Sequence, residues 1–135
     1  MKDDCIFCKL ANGVFPTNSI YEDEDFKVIL DLAPATRGHA LILPKEHADN
    51  IYEMPQGLVG KAFLLAQKMV KHMTEKLECD GFNLVQNNGT VAGQTVYHFH
   101  IHMIPRYVSD NQNIAWVPGE ATEEELKEVK DLLSR

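Results

Sequence analysis

The stretch from Val96 to Arg106, V-Y-H-F-H-I-H-M-I-P-R, constrains this chain more than any other. His98, His100 and His102 alternate with Phe99, Ile101 and Met103, so three of the six histidines fall within five positions. Side chains on a β-strand point alternately to opposite faces. The pattern therefore predicts a half-buried strand with three imidazoles on one face and three apolar groups in the core. Pro105 and Arg106 mark its end. A merely solvated face would more usually carry Thr, Lys or Glu. Imidazole is both a common metal ligand and a nucleophile that works near neutral pH, so the face points to a metal or to a phosphoryl group.

A chain of 135 residues sets one domain as the expectation, 1–135, with a core over about 4–106 and a tail over 107–135. Its formal charge of -7 argues against a protein that lives on a nucleic-acid backbone. A small anionic substrate held by local donors remains compatible. No apolar run approaches the ~20 residues of a membrane span, and M-K-D-D-C-I-F-C has no signal-peptide core. A cytoplasmic location is expected. Cysteines there stay reduced unless metal-bound.

Cys5-Ile6-Phe7-Cys8 spaces two thiols for one tetrahedral zinc. A redox pair or two buried small residues compete with that assignment. No second C-x-x-C exists, and Cys79 reads as a small residue just past a helix end. The remaining ligands would be histidines, and His47 is one candidate. A short helix is expected over Asp4–Ala11, ended by Asn12-Gly13.

Ser19–Glu22 and Phe26–Asp31 read as a hairpin across an acidic turn. Asp31 is either a turn former or an acid that holds sugar hydroxyls. His39–Pro44 is an apolar central strand with His39 at its mouth. Pro55–Glu78 forms the main helix, with Leu58, Phe63, Leu64, Ala66, Met69, Val70, Met73 and Leu77 facing the core. His72 belongs to its polar face. Gly81–Gln86 is a further strand. The loop Asn87–Thr95, rich in glycine and small polar residues, can turn backbone N–H groups toward phosphate. Thr122-Glu123-Glu124-Glu125 is a capping box that opens a last helix reaching Leu133. Its stripe of Leu126, Val129, Leu132 and Leu133 would dock on its own domain or on a partner.

Alternate residues on a straight strand lie about 7 Å apart, so three histidines in a row converge poorly on one ion. A division of labour fits better. His98 completes a zinc site with Cys5, Cys8 and His47, while His100 and His102 stay free for chemistry. His100, flanked on both sides, is the natural nucleophile toward phosphorus. His102, His39 and the Gly93-Gln94-Thr95 loop would stabilise the charge that develops.

H-F-H-I-H-M-I resembles the histidine triad motif, and Gly93-Gln94-Thr95-Val96-Tyr97 resembles that family's lead-in. The resemblance runs from about Cys5 to Pro105 and is closest to the bacterial zinc-containing branch, near the histidine triad nucleotide-binding proteins. It implies an α+β fold, a five-stranded antiparallel sheet with one long helix, and a homodimer. It implies a nucleotidylated His100, with His98 and His102 as its companions and His39 by the phosphate. Asp31 would take the ribose. Asn87, Gly93, Gln94 and Thr95 would line the phosphate and leaving-group side. Phe7, Ile29 and Leu32 would form the slot for a purine base, with Ile6 and Leu10 nearby. Zinc on Cys5, Cys8, His47 and His98 would be structural.

His102 at the third triad position favours hydrolysis, where nucleotidyltransferases tend to carry Gln. Nucleoside phosphoramidates and dinucleoside polyphosphates are the implied substrates. No nucleic-acid polymer or membrane is expected as a partner. Two other functions remain open. One is a nucleotide-binding regulatory protein with little turnover. The other is a metal-dependent hydrolase using the strand histidines.

Overall fold

A computed structural model describes all residues, 1–135. Its elements in chain order are α1 (Ile6–Ala11), β1 (Ser19–Glu22), β2 (Phe26–Leu30), β3 (Ala40–Pro44), α2 (Gln56–Leu77), β4 (Gly81–Val85), β5 (Ile101–Arg106) and α3 (Glu123–Leu133). A single 3-10 turn, Thr90–Ala92, lies between β4 and β5. The five strands form one sheet in the order β1-β2-β3-β5-β4, and every neighbouring pair is antiparallel. The sheet is therefore α+β in architecture, as the alternating strands and single long helix predict. No helix is long and apolar enough to cross a membrane.

The two sheet faces have different tasks. Phe26, Val28, Ala40, Ile42, Phe99, Ile101 and Met103 turn to one face and pack against Ala62, Leu65, Ala66, Met69 and Met73 of α2. Ile29, Leu41 and Leu43 turn to the other and meet Ala11, with Phe7 and Leu10 of α1 against them. His102, paired with Leu41, lies on β5, and His98 and His100 stand against Phe7 of α1, so α1 and the histidines are brought together.

The buried face of α2 differs from the expected one. Ala62 and Leu65 are buried where Phe63 and Leu64 were expected, and Leu64 is 68% exposed. Ala62, Leu65, Ala66, Met69 and Met73 follow three- and four-residue steps, and Phe63 and Leu64 fall off that stripe. The helix ends at Glu78, which takes the left-handed conformation. α3 is capped by Thr122, whose Oγ1 accepts from Glu125 N–H at 3.1 Å, yet none of its residues is buried.

β5 is shorter than the sequence pattern implies. It pairs with β3 only through Ile42–Ile101, Leu41–His102 and Ala40–Met103. Ahead of Ile101 the chain leaves β3, and Phe99 N–H donates to Ala48 C=O at 2.8 Å instead. His98 and His100 thus lie outside the strand, in a buried segment that bends at 96–98 on its way into it. This departure frees the three imidazoles from an even spacing along one ladder.

Candidate functional site

The departure from β3 sends the three histidines to different partners. His98 is completely buried and turns toward α1. Its Nδ1 lies 3.4 Å from both Cys5 Sγ and Cys8 Sγ, and His47 Nδ1 lies 3.3 Å from Cys8 Sγ. All four donor atoms fall within 4.8 Å of one another. A tetrahedral ion with metal–sulfur bonds of about 2.3 Å and metal–nitrogen bonds of about 2.0–2.1 Å would set sulfur and nitrogen about 3.5 Å apart. The spacing fits.

The ring tautomers fit as well. His98 Nε2–H donates to Pro44 C=O at 2.8 Å, and His47 Nε2–H donates to Asp49 Oδ1 at 2.7 Å. Each bond places the proton on Nε2 and leaves the Nδ1 lone pair for the cluster. Burial pushes the Cys8 thiol above its ordinary value, and Cys5 alongside adds to this. A cation bound there would take both sulfurs as thiolates. Cys5, Cys8, His47 and His98 can thus hold a metal ion, and with four protein donors no position is left open for substrate.

His100 goes elsewhere. Its Nδ1–H donates to the carbonyl of His98 at 2.6 Å. The proton is thereby held on Nδ1, and Nε2 is the bare nitrogen. The ring stands edge-on to Phe7 at 4.9 Å between centroids and to His102 at 4.9 Å. Burial lowers its pKa, so the imidazole is neutral near pH 7.

His102 is joined to His39, whose Nε2 lies 2.9 Å from His102 Nδ1. Ala35 N–H donates to His39 Nδ1 at 3.0 Å, which fixes the direction of the whole chain. A neutral His39 must carry its proton on Nε2 and donate it to His102 Nδ1. His102 then holds its own proton on Nε2. Burial, followed by the proximity of His100 and His39, lowers the pKa of His102 to about 4. Burial lowers that of His39 too, with Asp31 pulling the other way.

Asp31, His39 and His102 also place donor atoms within 4.8 Å of one another. A metal there would need His39 Nε2 bare, and the Ala35 amide prevents that. The geometry speaks for a proton chain and against a second metal on Asp31, His39 and His102.

Both His100 and His102 open onto a cavity of about 520 Å³. Phe7, Ile29, Asp31, Leu32 and Thr95 are among its walls, as is Leu10. Asp31 does two things at once. Its Oδ1 accepts from Ala33 N–H at 2.9 Å, and its Oδ2 lies 3.6 Å from His39 Nε2.

Other expected residues stand apart from the cavity. Asn87, Gly93 and Gln94 are not among its walls. The Gln94 amide is consumed in holding its loop, donating to Asp49 C=O and Val96 C=O and accepting from Gly89 N–H. The Asn87 amide reaches Gly93 C=O at 3.5 Å. His39 sits behind His102 and not on the cavity wall.

Pro16, Thr17, Asn18, Leu30, Leu41 and Val96 complete the wall without having been anticipated. Leu41 was findable, since it stands two positions from His39 on an alternating strand. The Pro16–Asn18 loop carries no such signal.

The family model for the HIT domain matches residues 12–109. A solved Streptococcus mutans structure superposes with a TM-score of 0.94 at 37% identity, covering 99% of this chain and 85% of its own. A zinc-bound histidine triad family protein from Mycobacterium smegmatis superposes with a TM-score of 0.78 at 36% identity, covering 97% of this chain and 94% of its own. The adenosine 5'-monophosphoramidase of Schizosaccharomyces pombe is 34% identical over 96% of each chain. The chain belongs to the HIT domain family.

Proposed function

We propose that this protein hydrolyses nucleotide conjugates at the α-phosphate, through a covalent nucleotidyl intermediate on His100. The carrying observation is the 2.6 Å bond from His100 Nδ1–H to His98 C=O, which leaves Nε2 bare beside the cavity. A relative named as an adenosine 5'-monophosphoramidase supports the same class of chemistry. The purine base would take the apolar slot of Phe7, Leu10, Ile29 and Leu32, and Asp31 would hold the ribose hydroxyls. Phosphate oxygens would lie toward Thr95.

In the first step, the Nε2 lone pair of His100 attacks the α-phosphorus, and the bond from phosphorus to the leaving nitrogen or oxygen breaks. His102 Nε2–H stands beside it to supply the proton the leaving group needs. In the second step, water attacks phosphorus, gives its proton to His102 Nε2, and the P–N bond to His100 breaks. The product is a nucleoside monophosphate. The family expectation set His39 beside the phosphate. Its place behind His102 suits it better to keep the His102 proton on Nε2, facing the leaving group.

Zinc is the ion we propose for the four-residue cluster, given the donor set and the zinc-bound relative. Bound there, it would crosslink α1 to the segment carrying His98, a structural role. We take residues 1–135 as one HIT domain that works as a homodimer in the cytoplasm. A light-scattering mass twice that of the chain would support the dimer.

The test is AMP release from adenosine 5'-phosphoramidate, with and without chelator. Wild type should turn over, His100→Ala should not, and brief chelation should leave initial rates intact. Turnover surviving in His100→Ala would overturn the mechanism. Tight nucleotide binding without wild-type turnover would favour a regulatory binding protein instead.

A further inference from the structure

The segment following β5 is bound to the loop that holds the proton chain in place. Three bonds reach that loop from β5 and beyond. Thr36 Oγ1–H donates to Pro105 C=O at 2.5 Å, Tyr107 O–H donates to Arg37 C=O at 2.7 Å, and Gln112 Nε2–H donates to Ala35 C=O at 2.8 Å. Only the last touches Ala35. The carbonyl that Gln112 grips and the amide that faces His39 Nδ1 lie in adjacent peptide planes hinged at the Ala35 Cα, so pinning the first narrows the φ and ψ through which the second can turn away.

Gln112 is itself held firmly. Arg106 donates to both Asp110 oxygens, at 2.8 and 3.1 Å, to Asn83 Oδ1 at 2.8 Å and to Gln112 C=O at 2.7 Å. Asp110 accepts further bonds from Tyr107 N–H and Gln112 N–H, both at 2.9 Å. Its carboxyl is held far below the usual carboxylate range by Arg106 and these amides. A bidentate charge-assisted pair of this kind makes a rigid mount.

We infer that Gln112 is a positioning residue for the triad. It acts through the backbone of Ala35 on His39 and so sets which nitrogen of His102 carries the proton. The consequence for turnover rests on the proposed hydrolysis, but the consequence for the tautomer does not. Without the Gln112 bond the Ala35 amide gains freedom to leave His39 Nδ1. His39 can then carry its proton on either nitrogen, and when it sits on Nδ1, His39 Nε2 becomes an acceptor. His102 would then answer with Nδ1–H and offer the leaving group a lone pair where a proton is required.

Gln112 is exposed, so its replacement leaves the core untouched. Gln112→Glu keeps the shape and sets an acceptor against the Ala35 carbonyl. Gln112→Lys keeps a donor and serves as the conservative variant. The first readout is the ring nitrogen spectrum of ¹⁵N-histidine-labelled protein. Wild type and Gln112→Lys should show His102 as the Nε2–H form. Gln112→Glu should show averaging between the two forms at His39 and His102, with His98 and His100 unmoved.

The second readout is steady-state phosphoramidate hydrolysis. For Gln112→Glu the expectation is a fall in kcat of about three- to tenfold, the worth of one hydrogen bond, with KM little changed. A wild-type His102 in the Nδ1–H form would overturn the inference. So would a Gln112→Glu spectrum identical to wild type. Wild type with no turnover but a shifted Gln112→Glu spectrum would count against the hydrolase and leave the positioning role standing.

Discussion

His98 and His100 are joined by a hydrogen bond that crosses from the metal-holding cluster to the cavity. The His98 carbonyl accepts from His100 Nδ1–H at 2.6 Å, while the His98 ring faces Cys5 and Cys8 at 3.4 Å. One residue thus serves the cluster with its side chain and the nucleophile with its backbone. Anything that fixes the His98 ring also fixes the acceptor that decides which nitrogen of His100 is bare.

Removing a cluster ligand should therefore act on stability first and on turnover second. Cys5→Ser should purify with less metal and melt several degrees lower, and its remaining turnover should decline as the fold loosens. Metal analysis and a melting curve measure the first two. A Cys5→Ser protein with a full metal complement would remove Cys5 from the ligand set.

Asp49 should matter to the metal without touching it. Its carboxylate takes the Nε2–H of His47 at 2.7 Å and so points His47 Nδ1 at the cluster. Losing such a partner typically costs a factor of about 10–100 in metal affinity. Asp49→Ala should show that loss in competition with a chelator. Unchanged affinity would mean that Ala48 and its neighbours orient His47 unaided.

Much of this arrangement is legible in the residues, because strand alternation is a strong constraint. The H-x-H-x-H pattern places Phe99, Ile101 and Met103 in the core with the imidazoles opposite, and the C-x-x-C spacing demands outside ligands. The end of the β3–β5 ladder at Ile101 is not legible in that way. It depends on Phe99 finding the Ala48 carbonyl, a contact between segments 51 positions apart. The same holds for His39. Its place behind His102 follows from a loop whose shape is set by Pro105, Tyr107 and Gln112, and none of these carries a local signal. Leu64 of α2 is exposed although its spacing suits the core, because adjacent apolar residues allow two overlapping helical stripes.

The acid limb of the pH profile should lie below the ordinary histidine range. Burial keeps His100 neutral, and burial with the nearby His100 and His39 lowers His102 to about 4. Both should stay in their working forms below pH 6.5, the unperturbed value. Turnover is then expected to stay flat through pH 6.5 and to fall only at more acid pH. Half-loss near pH 6.5 would contradict it. Stability has the same sign. The folded state binds fewer protons than the unfolded chain between these values, so its stability is full above about pH 6.5 and is lost as pH falls toward 4.

Gly38 joins the end of α2 to the histidine that follows it. Its φ is +89°, and a Cβ built there would come within 2.6 Å of Leu77 Cδ1 and 3.4 Å of Pro105 Cγ. The Leu77 methyl lies at the end of a flexible side chain and can move aside. The positive φ cannot be relieved so easily, since an L-residue in that region costs roughly 1–2 kcal/mol. Gly38→Ala should therefore lose about that much stability, a fall in Tm of a few degrees for a chain of this size. Easing the strain means turning the backbone next to His39, which disturbs the bond from Ala35 N–H to His39 Nδ1. Turnover should then fall by more than the melting temperature alone explains at a temperature where the variant is fully folded. A Gly38→Ala protein with normal turnover at that temperature would show that the His39 contact tolerates movement of its own loop.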